Sequence, residues 1–277
     1  MLTAALAIVG WIDLAATMTL AGGVAYGAFV GPPARGGRRA LGAAAAALAL
    51  ALGAEFILTV LRMEEVARLG ARAVVVDLFA ARWGQLWIAR GVGLAAIGSA
   101  LAARRPAWSL LAPVVWVWLL VRSVQGHAGA HGMVTGLIDW LHLQAAAAWV
   151  GGLVQLALLP RPVAASTAHR MRTLATGALA LLIPGGVYLA VIHVQHLHML
   201  VGSAYGWTLL AKLALAAPLL GLGAANHFRH VPAMDRGDSD AAPRLSRTVR
   251  IEIGIVAAIL LLTAVLGVLP MPHLLTQ

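Results

Sequence analysis

Eight long apolar stretches run through this sequence of 277 residues. They lie at about residues 4–30, 40–61, 83–103, 106–122, 136–159, 171–195, 205–228 and 249–269. A transmembrane helix needs about 20 mostly apolar residues. Only 11% of the residues are charged, whereas a soluble domain averages about 25%. We therefore predict an all-α, polytopic membrane protein with about eight transmembrane helices, organised as a single integral membrane domain over residues 1–277.

The N-terminal stretch and residues 63–82 require separate interpretation. The N-terminus has no basic region and no small-residue cleavage motif before a polar domain, so we predict a first spanning helix and not a removed signal peptide. Residues 63–82 mix charges with apolar residues such as Val74 and Phe79. This mixture predicts a surface loop or a short helix at the membrane interface.

Arginines fall mainly in alternate loops between the apolar stretches. One set of loops holds thirteen: Arg35, Arg38, Arg39, Arg104, Arg105, Arg161, Arg170, Arg172, Arg229, Arg236, Arg244, Arg247 and Arg250. The opposite loops and both termini hold four: Arg62, Arg68, Arg72 and Arg82. Because cytoplasmic loops are enriched in Lys and Arg, we predict that both termini lie on the non-cytoplasmic side of the membrane. The formal charge of +10 is thus explained by arginines that orient the chain in the membrane. The predicted partner is the lipid bilayer, and no nucleic acid is expected to bind.

Histidines are concentrated on the arginine-poor, outer side of this topology. Seven of the ten histidines fall there, namely His127, His131, His142, His193, His196, His198 and His273. Met133, Met199 and Met271 fall on the same side. Imidazole binds copper in both oxidation states and thioether sulfur favours Cu(I), whereas the usual zinc ligands do not include methionine. The sequence has no cysteine, so thiolate sites are excluded.

These residues predict a copper ion at the outer, non-cytoplasmic face. The candidate ligands are His127, His131, His142, His193, His196, His198, Met133 and Met199. Without thiolates, this chemistry fits transport or exchange of copper better than permanent storage. The alternative is that the interfacial histidines only form hydrogen bonds at the level of the lipid headgroups.

Ionisable residues within the apolar stretches are a second signal. Six of them form a candidate polar path: Asp13, Glu55, Arg90, Arg122, Asp139 and Lys212. Charges inside a span are costly and usually face a bundle interior or a water-filled cavity. They could form ion pairs that hold the bundle together, or line a path beneath the metal site, and both interpretations remain open. Glu252, near the start of the last stretch, is expected to pair with an arginine.

Two glycine motifs lie inside apolar stretches. Pro184-Gly185-Gly186 falls about halfway along the sixth stretch and predicts a break or kink where the helix lines a cavity. Gly151-Gly152 in the fifth stretch predicts a close approach between two helices, because small residues allow backbones to touch.

Several short motifs occur in a fixed order along the chain. They are GHA at 126–128, Asp139-Trp-Leu-His142 continuing to Gly152, Ala204-Tyr-Gly-Trp-Thr-Leu-Leu-Ala-Lys212, Gly223-Ala-Ala-Asn226, and Val249-Arg-Ile-Glu252 followed by Pro270-Met-Pro272. In this order and spacing they resemble the copper resistance protein D (CopD) family of inner-membrane proteins. The resemblance covers about residues 80–272 and is strongest over 139–272.

The resemblance implies copper handling at the periplasmic face, with uptake across the inner membrane. It also implies a small, separate periplasmic copper-binding protein as partner. His127, His142, Lys212 and Glu252 match positions of the family. The assignments of His131 and of the histidines at 193, 196 and 198 rest on chemistry alone.

Two functions of different classes remain open. In the first, copper captured by the outer His and Met residues moves past the buried charges, and this chain has no Walker motif that would couple the movement to ATP. In the second, haem b is held between His142 and His193 in a membrane oxidoreductase or assembly protein. A purely structural membrane subunit is a third interpretation, and no oligomeric state is predicted.

Overall fold

The computed structural model describes residues 1–68, 70–126, 132–194 and 198–270. Within these ranges every regular element is a helix. The helices are α1 Leu2–Phe29, α2 Arg35–Ala67, α3 Ala71–Ala80, α4 Arg82–Ala102, α5 Trp108–Gln125, α6 Met133–Ala157, α7 Ala165–Val194, α8 Met199–Gly202, α9 Ala204–Ala225, α10 Val231–Asp235 and α11 Ala241–Val268. A π-helical turn, Asn226–His230, joins α9 to α10.

Eight helices in the described ranges are long and apolar enough to cross a membrane. They are α1, α2, α4, α5, α6, α7, α9 with its continuation to Asp235, and α11. The predicted all-α fold class and the eight spans are therefore confirmed. Residues 63–82 contain the end of α2 and the 10-residue helix α3, which packs against α2 and α4. This agrees with the short-helix interpretation of that segment.

Helix α1 lies at the centre of the bundle. It packs against α2, α5, α6 and α11, and its residues from Leu20 to Tyr26 are all buried. A helix that is apolar on every side belongs in an interior, and the small residues of this run let several neighbours approach. Because Asp13 lies on the same helix about two turns before this run, the central position of α1 also places that carboxylate inside the bundle.

Helices α1 and α6 touch backbone to backbone at Gly22 and Gly151. A Cβ atom at Gly22 would lie 1.8 Å from the Ala147 carbonyl oxygen, and one at Gly151 would lie 2.5 Å from the Met18 carbonyl oxygen. Helices in a bilayer associate largely through van der Waals packing, so such contacts hold the pair together. The close approach predicted at Gly151-Gly152 is confirmed, with Gly152 packed against Met171 of α7.

Gly22→Ala should destabilise the bundle, because the added methyl meets backbone that cannot move aside. Overpacking of this kind costs about 1–3 kcal/mol, so we expect the detergent-solubilised protein to melt several degrees lower in a thermal-shift assay. The matched control is Gly177→Ala in α7, where a Cβ atom meets nothing within 4 Å. Equal melting temperatures for the two variants would contradict the close packing.

The predicted break at Pro184-Gly185-Gly186 is wrong, whereas a kink there stays a prediction. Helix α7 runs without interruption from Ala165 to Val194, with Pro184 inside it. Membrane helices tolerate such a proline because neighbouring helices restore the freed backbone interactions. The two glycines serve a different purpose, because they make room for a side chain of α6.

Four tryptophans connect neighbouring helices through their indole N–H groups. Each donates a hydrogen bond to a backbone carbonyl of another helix: Trp11 to Ala257, Trp87 to Leu52, Trp118 to Arg90 and Trp140 to Trp116, over 2.8–3.0 Å. An unsatisfied N–H is costly where no water is present. These bonds therefore help to set the spacing between helices around the buried charges.

Candidate functional site

A cluster of paired charges lies between α1, α2, α4 and α5. Asp13 accepts from two arginines, with one carboxylate oxygen 2.6 Å from Arg90 Nη2 and the other 3.1 Å from Arg122 Nε. Arg90 Nη1 lies 3.3 Å from Glu55 Oε2 and donates to Gln125 Oε1 at 3.1 Å. The structure thus brings together four of the six residues predicted for the polar path.

Burial makes this pairing necessary. Arg90 is 1% exposed and Asp13 is 5% exposed, and taking such groups out of water costs several kcal/mol for each ion unless partners compensate. Two carboxylates and two guanidinium groups leave the four charges in balance. Next to the cluster, Trp118 packs its ring against Gly93, one turn after Arg90, and donates its indole N–H to the Arg90 carbonyl.

The cluster and residues next to it in α1 and α5 contain polar atoms that the ion pairs do not use. Arg90 Nε, Gln125 Nε2, Ser123 Oγ and Thr17 Oγ1 are buried and have no hydrogen-bond partner among the described residues. Thr17 lies one turn after Asp13, and Ser123 follows Arg122 in α5. Buried polar atoms in proteins usually have a partner such as an ordered water molecule.

His142 on α6 is held against α7 in a defined orientation. Its Nδ1 lies 3.0 Å from the Leu182 carbonyl oxygen. Because a carbonyl only accepts, Nδ1 carries the proton, and Nε2 of the neutral ring keeps its lone pair. Metal-binding histidines in proteins are typically oriented by such a bond. His142 lies close to α7 at Gly185 and Gly186: Cβ atoms there would lie 3.3 Å from His142 Cβ and 3.1 Å from Cε1 of its ring, which are tight contacts.

Charges connect His142 to the cluster around Asp13. Lys212 of α9 is close enough to interact electrostatically with both His142 and Asp139. Asp139, one turn before His142 on α6, also interacts with Arg122. The six predicted path residues and His142 therefore form one electrostatically connected set. Within this set, Asp139 interacts both with Arg122, which belongs to the cluster around Asp13, and with Lys212, which interacts with His142.

His193 occupies a different level of α7 from His142. Its Nδ1 lies 2.6 Å from the Leu189 carbonyl oxygen of the same helix, and its ring stacks on Tyr205 with centroids 6.5 Å apart. Since His142 contacts Gly186, seven residues before His193, the two histidines differ by about 10 Å along the helix axis. A haem held between His142 and His193 would need the two rings at comparable depth, and the structure does not place them so.

The remaining candidate ligands lie near the same end of the bundle or outside the described residues. Met133 begins α6 and is 80% exposed. His198 is exposed just before α8, and Met199 packs beside the cluster of Val194 and Tyr205. His127, His131 and His196 lie outside the described residues. Among the residues that the structure describes, no three His, Asp or Glu side chains gather to hold a metal ion.

A second buried carboxylate lies between α9 and α11. Glu252 is 1% exposed and accepts a 2.8 Å bond from Asn226 Nδ2. Thr248 in turn donates to Asn226 Oδ1. Over the described part of the chain no arginine pairs with Glu252, so the expected arginine partner is wrong. Asn226 starts the π-helical turn, a feature often found at functional sites.

The sequence interpretation missed Gln125, Thr248 and the carbonyl of Leu182 as parts of these sites. Gln125 could have been found, because it is a polar residue one turn after Arg122. Asn226 belonged to a motif of the family resemblance but had no assigned role. Nothing in the sequence marks a backbone carbonyl as the partner of His142.

Comparison with known proteins places the chain among copper proteins. A family model described as copper resistance protein D matches residues 165–266. Copper resistance protein D of Pseudomonas syringae pv. tomato is 33% identical over 211 residues, covering 67% of this chain and 68% of the relative. Copper transport protein CutJ of Bacillus subtilis (strain 168) is 30% identical over 213 residues, covering 70% of this chain and 38% of the relative. No solved structure matches the chain significantly.

The two relatives differ in how much of their length is shared. The matched part of this chain spans less than half of CutJ but more than two thirds of the Pseudomonas protein. The protein therefore belongs to the copper resistance protein D family and is a copper-related, multi-pass membrane protein.

Proposed function

We propose that the protein binds copper ions as cargo and moves them across the bacterial inner membrane, with both termini in the periplasm. The observation that carries this proposal is the fixed orientation of His142. Its Nδ1 is committed to the Leu182 carbonyl, which leaves Nε2 as the nitrogen that can bind a metal. In a family whose members are named for copper resistance and copper transport, a preoriented imidazole beside buried charges supports copper as its ligand.

Capture takes place at the periplasmic end of the bundle, in residues 1–277 acting as one membrane domain. The capturing residues are His127, His131, His193, His196, His198, Met133 and Met199. Imidazole and thioether groups bind Cu(I) without the tight hold of a thiolate, so the ion can be passed on to His142. A separate periplasmic copper-binding protein supplies the ion.

The balance of charges around His142 controls how copper moves on from the capturing residues. Lys212 repels a cation bound at His142, and Asp139 offsets that repulsion because it interacts with Lys212. The carboxylates of Asp139, Asp13 and Glu55 then provide negative charge along the route. Arg90 and Arg122 keep these carboxylates in place when no copper is present.

Opposite effects on copper affinity are expected when the two charges beside His142 are removed one at a time. Asp139→Asn leaves the Lys212 charge uncompensated, so copper binding should weaken by on the order of tenfold, equivalent to about 1.4 kcal/mol. Lys212→Met removes the repulsion, so binding should tighten. Competition with a coloured Cu(I) chelator measures both changes. Shifts in the same direction would contradict this electrostatic role.

Metal and pigment analysis of the purified protein tests the function itself. We expect about one copper ion per chain by elemental mass spectrometry and no haem absorption band near 400 nm. Proteoliposomes that enclose a Cu(I) chelator should accumulate copper, whereas liposomes without protein should not. A red protein with a Soret band and no copper affinity would overturn the proposal and favour haem b at His142.

A further inference from the structure

Three loops and the adjoining helix ends, which themselves contain no acidic residue, form an arginine-rich face. The α1–α2, α4–α5 and α6–α7 connections contribute eight arginines: Arg35, Arg38, Arg39, Arg104, Arg105, Arg161, Arg170 and Arg172. The sequence has no Asp or Glu between Asp13 and Glu55, between Asp77 and Asp139, or between Asp139 and Asp235. None of the ion pairs among the described residues involves these arginines. Their positive charges are therefore left without carboxylate partners there.

Hydrogen bonds to backbone carbonyls join the three loops into one surface. Arg38 Nη2 donates to the Ala103 and Arg104 carbonyls at 3.2 Å and 3.3 Å. Arg170 donates to the Val30 carbonyl at 3.1 Å. These bonds hold the α4–α5 and α6–α7 connections against the α1–α2 loop, but a neutral carbonyl does not cancel a guanidinium charge.

A cavity of about 490 Å³ opens on this face and is lined by Pro33, Arg35, Arg38 and Arg39. All three arginines are exposed, and no acidic side chain lines the cavity. Bringing three like charges to one concave surface is unfavourable unless an anion occupies it. A guanidinium group can bind two phosphate oxygens through a pair of N–H donors. Several arginines around a concave site are therefore well suited to bind a phosphate group.

The position of the cavity selects the kind of anion. It lies between the last residue of α1 and the first turns of α2. Phe29, that last residue of α1, precedes the lining residue Pro33 by four positions and is 55% exposed. Charge at the level of the headgroups thus adjoins apolar surface at the level of the acyl chains. We propose that this arginine-lined cavity binds the phosphodiester headgroup of an anionic phospholipid. Basic pockets between transmembrane helices are suited to this ligand chemistry.

The connection between α10 and α11, with its adjoining helix ends, is also rich in arginine, but it differs from the other three because it contains acidic residues. Between α10 and α11, Asp238 pairs with Arg244, and Asp235 and Asp240 lie nearby in the sequence. The Asp240 backbone N–H, followed by the Arg244 guanidinium, holds the pKa of Asp238 below its ordinary value, so that carboxylate stays ionised. Arginines of this loop are therefore partly neutralised, and they should not retain an anionic lipid.

Native mass spectrometry of the full chain in detergent tests the site. The protein is mixed with equal amounts of phosphatidylglycerol and phosphatidylcholine, and the lipid retained on the protein is counted. We expect preferential retention of phosphatidylglycerol, reduced at least fivefold in the double variant Arg35→Gln/Arg39→Gln. Arg38 is left in place because it joins two loops. A melting temperature equal to wild type in phosphatidylcholine alone shows that the double variant is folded.

The control removes the same charge near the contrasting loop through Arg236→Gln/Arg247→Gln, of which Arg236 lies in that loop and Arg247 in the first two turns of α11. This variant should leave the preference unchanged. Equal losses in both double variants would mean that net charge alone attracts the lipid, and the proposal would fail. Millimolar glycerol phosphate or inorganic phosphate should not displace the lipid. Displacement by either would assign the cavity to a soluble anion and overturn the proposal.

Discussion

Arg90→Ala should all but abolish recovery of folded, monodisperse protein from membranes. Among the residues that the structure describes, the substitution leaves Asp13 with Arg122 as its ionic partner, and it removes the donor that Glu55 and Gln125 share. Removing one partner from a buried ion pair costs about 3–5 kcal/mol, a large part of the 5–15 kcal/mol that stabilises a typical protein. Size-exclusion chromatography in detergent and a thermal-shift assay measure the loss.

Two further variants separate this effect from the simple removal of an arginine. Arg236→Ala removes an exposed arginine and should leave yield and melting temperature unchanged. Asp13→Asn combined with Arg90→Met removes both members of the closest pair, so it should recover part of the stability that Arg90→Ala loses. If Arg90→Ala melts within about 2 °C of wild type, the cluster does not hold α1, α2, α4 and α5 together.

His142→Ala should lower the affinity for copper at least 100-fold while the protein remains folded. The variant removes the one imidazole whose orientation between α6 and α7 is set by a carbonyl and two glycines. It leaves the paired charges around Asp13 untouched, so stability should change far less than in Arg90→Ala. Titration of the purified variant against a Cu(I) chelator, compared with wild type, provides the measurement.

Matched variants show whether position matters as well as residue type. His169→Ala removes an exposed histidine at the opposite end of α7, where Nδ1 lies 3.8 Å from Asp235, and it should not alter copper binding. Gly186→Val keeps His142 but fills the space that its ring occupies, so it should weaken binding. Equal affinities for His142→Ala and His169→Ala would show that the site has been assigned to the wrong residue.

The spans were predictable because each is a local property of the sequence. A run of about 20 apolar residues is sufficient to specify a transmembrane helix, and all eight runs correspond to helices in the structure. The boundaries shifted where charged residues extend a helix beyond its apolar part. Helix α2, for example, begins at Arg35 and runs to Ala67, although its apolar run covers about residues 40–61 only.

The candidate site was predictable in composition but not in arrangement. Asp13, Glu55, Arg90 and Arg122 stood out because charged residues are rare inside apolar stretches. Which acid meets which base depends on helix packing, and Asp13 is separated from its two arginines by 77 and 109 residues. Glu252 illustrates the same limit, since nearby arginines in the sequence suggested a partner and the packing of α9 on α11 supplied Asn226.

The sequence by itself determined that this chain is an all-helical membrane protein with eight spans, and which of its polar residues require an explanation. The length of an apolar run and its residue types are local properties of the sequence. In a bilayer such a run forms a helix because its backbone polar groups must be hydrogen-bonded within the segment. Only the tertiary structure decided that Arg90 bridges two carboxylates, that Leu182 orients His142, and that Gly185 and Gly186 make room for its ring in an unbroken helix. These outcomes depend on which helix faces meet, and that is set by packing between segments distant in the chain.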